Sequence, residues 1–195
     1  MRSKCVRRIV SIGVITLFLA SSLYALPKTP GSNQDGIATG NSYFIERSTA
    51  LLKDLRGVAG KLNRDAETLG SFSRSSGLSW QSHAYYLNNA RDHINKVGSL
   101  LRELQSMRRG VAPWQLQAID RVTPMAAEAA AHTEAAIKHL RDNQRRHFVP
   151  EYKDRLRMIE DRAAEMKQTV DKYLDYGETQ RKLLHLQRTL ELAGS

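Results

Sequence analysis

The sequence predicts an all-α protein, an antiparallel up-down-up-down four-helix bundle with long helices. Four long segments carry apolar residues at alternating spacings of three and four, the repeat typical of helices that pack side by side. Only a few residues connect consecutive segments, which makes consecutive helices antiparallel neighbours. Proline, glycine and charged residues stand where each segment should start or end, and this consistency supports the bundle.

The first 41 residues are predicted to precede the bundle domain, which is predicted to span residues 42–195. Residues 1–25 have the layout of a secretory signal peptide: a positive head, an apolar run and small residues before a cleavage site near Ala25. An uncleaved membrane anchor is the alternative interpretation. Residues 26–41, rich in proline, glycine and small polar residues, are predicted to form a flexible linker. The protein is therefore predicted to be exported, to the periplasm or outside the cell.

The first two helices are predicted from about Ser42 to Phe72 and from about Leu78 to Arg109. Three glycines weaken the first helix locally, at a cost on the order of 1 kcal/mol each against alanine. Its predicted inward residues are Leu51, Leu55, Val58, Leu62, Asp65, Leu69 and Phe72. In the second helix the repeat continues without a slip through Trp80, His83, Leu87, Ala90, Ile94, Val97, Leu101 and Leu104.

The third helix is predicted to start at Pro113, where a missing amide hydrogen costs nothing, and to end near His147. Pro124 falls inside this segment, where it removes one backbone hydrogen bond and crowds the preceding turn. We therefore expect the third helix to be kinked near Pro124, or to restart there with Thr123 as its cap.

The fourth helix is predicted from about Glu151 to Leu190. Its predicted inward residues are Tyr152, Leu156, Ile159, Ala163, Met166, Val170 and Tyr173. After Gly177 the apolar positions shift to Leu183, Leu186 and Leu190. This shift predicts a bend near Gly177, or a tail that leaves the main bundle.

The composition narrows the chemistry that the protein can carry. The only cysteine, Cys5, lies in the predicted signal peptide, so the processed protein would have no thiol for disulfides, metal ligation or catalysis. The formal net charge of +10 includes four positive charges in that leader, which leaves a moderately basic chain of +6. Such a chain suits anionic partners such as phospholipid surfaces, polysaccharides or acidic proteins, and an exported protein is not expected to meet nucleic acid. No motif of a metalloprotease, phosphate-binding loop, serine hydrolase, di-iron protein or covalent haem protein is present, so enzymatic activity has no positive support and no cofactor is expected.

Two pairs of polar residues are nevertheless candidate sites inside the bundle. Asp65 and His83 occupy inward positions at neighbouring depths, and they predict either a metal site or a structural polar layer that fixes the helix register. His93 and His132 are predicted at matching depth on adjacent helices, beside a run of alanines. They could ligate haem axially, although alanine-rich helices also pack closely without any ligand.

The third candidate is a basic cluster at the turn between the third and fourth helices. It consists of Arg141, Arg145, Arg146, Lys153, Arg155 and Arg157 and is called the basic end below. Positive charge beside aromatic residues suits an anionic or amphipathic partner, and the alternative is a solvated helix end with charges that match the helix dipole.

The leading hypothesis is an exported, non-enzymatic binding or structural protein of the cell envelope. It would use the bundle surface, and the basic end in particular, to hold an unknown partner or another copy of itself. The alternatives are a haem or metal carrier that uses His83, His93 and His132, and a periplasmic chaperone-like holdase.

Overall fold

The computed structural model describes residues 34–74, 79–143 and 149–193, with side chains from residue 42 onward. This part of the chain is all-helical and contains no strand. The four helices are α1 (Gln34–Arg74), α2 (Trp80–Ser106), α3 (Pro113–Asp142) and α4 (Pro150–Ala193). The predicted signal peptide and the first part of the predicted linker lie outside the described residues. None of the described helices is both long enough and apolar enough to cross a membrane.

The starts of α2 and α3 follow from local capping chemistry. Ser79 caps α2, where its hydroxyl oxygen accepts a hydrogen bond from the Ser82 amide at 3.4 Å. Pro113 opens α3, as predicted, and Gln115 reaches back so that its Oε1 accepts from the Ala112 amide at 2.8 Å. Side chains therefore satisfy backbone donors that the first turn of each helix would leave unpaired.

Several helix boundaries differ from the prediction. α1 begins at Gln34 rather than near Ser42, so residues 34–41 of the predicted linker are helical. Once packing has nucleated a helix, each further residue adds one backbone hydrogen bond, so the helix can extend beyond its packed part. α2 ends at Ser106, and the next residues form a turn in which the Gly110 amide donates to the Met107 carbonyl at 2.9 Å.

α3 runs without interruption from Pro113 through Pro124 to Asp142, so the helix does not restart at Thr123. The Thr123 hydroxyl instead donates back to the Ile119 carbonyl at 2.7 Å, within the helix. The kink near Pro124 stays a prediction. The predicted end of this helix near His147 falls among residues 144–148, outside the described residues.

Each helix packs against two neighbours, which makes one shared core. α1 and α3 both contact α2 and α4, and they make only slight contact with each other. Of the inward residues predicted for α2, all are buried except Trp80, which is half-buried. Leu100 is also buried, although it was not predicted to face inward. In α1 the buried face is displaced by one residue from the predicted face at two positions. Ala59 and Ala66 are fully buried there, whereas Asp65 is half-buried.

α4 passes through Gly177 as one continuous helix. Its core residues run from Tyr152 to Gly177, and Tyr173 is half-buried rather than buried. Residues 178–193 are exposed throughout. Part of this segment still lies beside α1, because Lys182 and His185 line a cavity together with Lys53. A tail that leaves the main bundle and a bend near Gly177 both stay predictions.

Candidate functional site

Asp65 and His83, which were predicted to form a pair, lie close to different residues. His83 is fully buried, and its Nδ1 lies 3.1 Å from the Tyr152 hydroxyl. Asp65 is half-buried, and its Oδ2 lies 3.0 Å from Nδ1 of His93. Within the described residues, no three histidine, cysteine, aspartate or glutamate side chains gather as metal ligands. The apolar repeat correctly predicted that His83 faces inward, but it does not report which neighbouring helix a face meets. A metal site at Asp65 and His83 stays a prediction.

His83 belongs to a layer of rings across the bundle. The His139 ring stacks on Tyr152 with centroids 5.3 Å apart, and Phe72 meets the edge of His83 at 6.1 Å. Tyr152 is fully buried, and this burial raises the pKa of its phenol well above the ordinary value of 10.0. The phenol therefore stays protonated and hydrogen-bonded, which favours a structural polar layer at this depth.

The raised pKa of Tyr152 predicts a loss of stability at alkaline pH. Above about pH 10 an unfolded tyrosine releases its proton while Tyr152 in the folded protein retains it, so the free energy of unfolding falls as pH rises. Between the two pKa values the fall should approach about 1.4 kcal/mol per pH unit. Urea unfolding of the wild type and of Tyr152→Phe measures it. The variant should lose about 1–3 kcal/mol at neutral pH and show a flatter alkaline profile, and identical profiles would contradict this assignment.

His93 and His132 lie on neighbouring helices, but the close partner of His93 is Asp65 on α1. The two atoms are at an ion-pair distance without forming a hydrogen bond. His132 is half-buried on α3, one residue from the fully buried face that Ala129, Thr133 and Ala136 form. Axial ligation of haem by His93 and His132 stays a prediction.

At the basic end, the structure describes Arg141, Lys153, Arg155 and Arg157, while Arg145 and Arg146 lie outside the described residues. Arg141 is 3.2 Å from the Asp142 carboxylate, and Arg157 is 3.2 Å from Asp154. Arg141 also lines a small cavity of about 140 Å³ between α2 and α3, beside Trp80. Two of the four described cations therefore already have a nearby carboxylate.

A larger groove of about 530 Å³ lies between α3 and α4, near the start of α3. It combines aromatic, polar and cationic side chains, and none of its lining residues is acidic. These residues are Pro113, Trp114, Gln117, Arg121, Thr169, Lys172, Tyr173, Tyr176 and Gln180, and we call the site the aromatic groove.

The wall of the aromatic groove depends on a close approach between two helices. Pro113 sets the first turn of α3, and Trp114 directly after it is almost fully buried. The Trp114 ring lies against Gly177 of α4, where an added Cβ would stand only 2.7 Å from Cε2 of the indole. Glycine at position 177 thus lets the indole lie against the α4 backbone beside Tyr173 and Tyr176.

Two cations stand on the rim of this wall, one on each helix. Arg121 and Lys172 are both exposed, and neither has an ion-pair partner among the described side chains. Tyr176 is 52 % exposed, and its phenol oxygen accepts a hydrogen bond from Gln180 Nε2 at 3.1 Å. Aromatic faces beside unpaired cations suit a ligand that is both apolar and anionic.

The chain matches no protein-family model, no curated protein and no solved structure. The sequence predicted anionic binding at the basic end rather than in the aromatic groove. Two local signals point to it: a Pro-Trp pair that opens a helix, and two tyrosines three residues apart before a helical glycine.

Proposed function

We propose that the protein is a non-enzymatic binding module that holds an anionic, partly apolar ligand in the aromatic groove. The observation that carries this proposal is that the aromatic wall lies beside Arg121 and Lys172. None of the lining residues has a carboxylate. A groove of about 530 Å³ falls in the size range of small-molecule sites. Because the groove is open, one end of a longer molecule, such as an amphipathic lipid or an acidic peptide, also fits it.

The scaffold proposed for this module is the up-down-up-down bundle. Pairs of contacting residues support it, since residue numbers rise along one helix as they fall along its neighbour. Between α1 and α2, Arg47 lies 2.5 Å from Glu103, and farther along Asp65 lies 3.0 Å from His93. The corresponding pairs between α3 and α4 are Trp114 with Gly177 and Glu128 with Arg162.

The proposed location is the cell envelope, to which the predicted signal peptide would export the protein. The support for this part is the arrangement of residues 1–25. Mass spectrometry of the protein purified from its natural host tests it. A mature chain that begins near Leu26 is expected, and a cytoplasmic protein that retains Met1 to Ala25 would contradict export.

Binding of 1-anilinonaphthalene-8-sulfonate tests the proposed ligand chemistry, because this dye joins an aromatic body to one negative charge. Arg121→Ala combined with Lys172→Ala should weaken binding about tenfold, the factor that corresponds to about 1.4 kcal/mol. The uncharged dye N-phenyl-1-naphthylamine should bind wild type and variant equally. Raising the salt concentration should weaken binding of the sulfonate dye but not of the uncharged dye.

The matched control is Lys153→Ala combined with Arg155→Ala, which removes the same charge at the basic end. This control should leave the dissociation constant of the sulfonate within about twofold of wild type, since exposed charges far from a site act only weakly through salt water. If the control pair weakens binding and the groove pair does not, the sequence-based assignment to the basic end is correct and the aromatic groove is not the site.

A further inference from the structure

A second groove, of about 510 Å³, lies between α1 and α4, whereas the aromatic groove lies between α3 and α4. Charged side chains dominate it: four lysines and arginines and one histidine line it, against two carboxylates. One of these cations, Arg56, lies 3.6 Å from the Asp171 carboxylate. We call this site the cationic groove, and it shares no residue with the aromatic groove. Its lining residues are Thr49, Lys53, Arg56, Leu174, Asp175, Glu178, Arg181, Lys182 and His185.

Two cations of this groove have no carboxylate of their own. Lys182 lies 2.8 Å from Glu178, but Lys53 and Arg181 have no ion-pair partner among the described side chains. The pKa of Glu178 is lowered, first by its hydrogen bond with Lys182 and further by the charges of Arg181 and Lys53. Cations from both helices therefore act on the same carboxylate and outnumber it, which suits a ligand with several negative charges.

Three leucines follow the cationic groove along α4. Leu183, Leu186 and Leu190 are between 56 % and 73 % exposed, and we call them the leucine face. Lys182 of the groove lies four residues before Leu186, which lies four residues before Leu190, so these side chains form one row along the helix. The cationic groove and the leucine face are therefore parts of one continuous surface.

This surface has the composition of a helix that lies on a membrane. Such a helix turns leucines toward the acyl chains and carries lysines and arginines on its polar face. By helical count, Arg181 and Arg188 lie on the side of α4 opposite the leucine face, and Lys182 lies beside that face. An amphipathic partner helix usually occupies a walled groove, whereas a bilayer accepts one protruding helix. Residues 178–193 are exposed throughout, so no other described element covers the leucines, and the shape favours a bilayer.

We propose that this surface binds an anionic phospholipid bilayer, with the leucine face among the acyl chains and the cationic groove against the headgroup phosphates. Charge complementarity identifies the occupant, because the excess of cations in the groove attracts an anionic leaflet. Salt screens this attraction beyond about 10 Å at 0.1 M, so the cations must lie close to the leaflet, as Lys182 does beside Leu186. The proposal does not depend on a ligand in the aromatic groove.

Co-sedimentation of the processed protein with lipid vesicles tests this proposal. The protein should bind vesicles of phosphatidylcholine mixed with phosphatidylglycerol, and it should bind pure phosphatidylcholine at least about tenfold more weakly. Leu186→Gln should weaken binding to the mixed vesicles about tenfold, because it removes an inserted apolar side chain. The matched control is Leu184→Gln, which changes a similarly exposed leucine on another side of α4 and should stay within about twofold of wild type.

Lys53→Gln combined with Arg181→Gln tests the cationic groove and should weaken binding to the mixed vesicles at least about tenfold. Its control, Lys96→Gln combined with Arg102→Gln, removes the same charge from α2, which makes no contact with α4 within the described residues. The control should stay within about twofold of wild type, and all four positions are exposed, so folding should be unaffected. Neither pair should change the affinity for the naphthalenesulfonate dye, which reports on the aromatic groove separately.

Three results would overturn the proposal. They are no binding to the mixed vesicles, equal binding to both kinds of vesicle, and equal weakening by a variant and its control. If vesicle binding is absent and sedimentation velocity shows a dimer that Leu186→Gln abolishes, the partner of the leucine face is a second copy of the chain instead.

Discussion

Replacing Gln115 with alanine is expected to lower the free energy of unfolding by about 2–4 kcal/mol, the cost of breaking a buried hydrogen-bond network. The Gln115 side chain is fully buried at the start of α3. Its Nε2 donates to the Ile45 carbonyl and to the Thr49 hydroxyl, both at 2.8 Å, while its Oε1 accepts from the Ala112 amide. One amide therefore ties α1 to the start of α3, and its removal leaves several polar groups with one partner fewer.

Urea unfolding measures this loss, and two variants separate its causes. Gln115→Met keeps most of the side-chain volume but makes none of the hydrogen bonds, so it should still lose about 2 kcal/mol. Gln168→Ala changes an exposed glutamine on α4 and should stay within about 0.5 kcal/mol of wild type. If Gln115→Met is as stable as wild type, the side chain matters only for its volume and the network is not a source of stability.

Replacing Gly177 with alanine is expected to cost about 1–3 kcal/mol, the usual range for overpacking a core position. A Cβ at position 177 would overlap the indole of Trp114, which is 7 % exposed, so the ring or the α4 backbone would have to shift. Because Trp114 forms one wall of the aromatic groove, the same variant should also weaken binding of the naphthalenesulfonate dye. Thermal unfolding and dye titration report the two effects separately.

Gly57→Ala is the matched control, since both glycines lie inside helices. A Cβ at position 57 would meet nothing within 4 Å, so alanine should only gain helix propensity there. We expect a stabilisation of about 0.5–1 kcal/mol and unchanged dye binding. If both variants are stabilised, Trp114 does not pack against position 177 as described.

The helices could be predicted from the sequence because their signals are local and repeated. In α2 the apolar repeat gave seven of the eight residues that the structure buries. The repeat of α1 was less accurate, because alanines are small and weakly apolar. Ala59 and Ala66 are fully buried where Val58 and Asp65 were predicted to face inward.

The candidate site was less predictable, since it depends on contacts between distant parts of the chain. The aromatic groove forms because Trp114 of α3 packs against Gly177 of α4. The sequence around either residue does not indicate this contact. Gln115 was missed for the same reason: its partners Ile45 and Thr49 lie some seventy residues away. The basic end, by contrast, was easy to select because its charges are close in sequence.

The nuclear magnetic resonance signals of the two indole N–H groups test the central claim most directly. Trp114 lines the aromatic groove, and Trp80 lines the small cavity beside Arg141 at the basic end. The chain has only these two tryptophans, so a Trp80→Phe variant assigns both signals. On titration with 1-anilinonaphthalene-8-sulfonate, the Trp114 signal should shift progressively and saturate while the Trp80 signal stays in place. A shift of Trp80 alone, or of neither signal, would contradict binding in the aromatic groove.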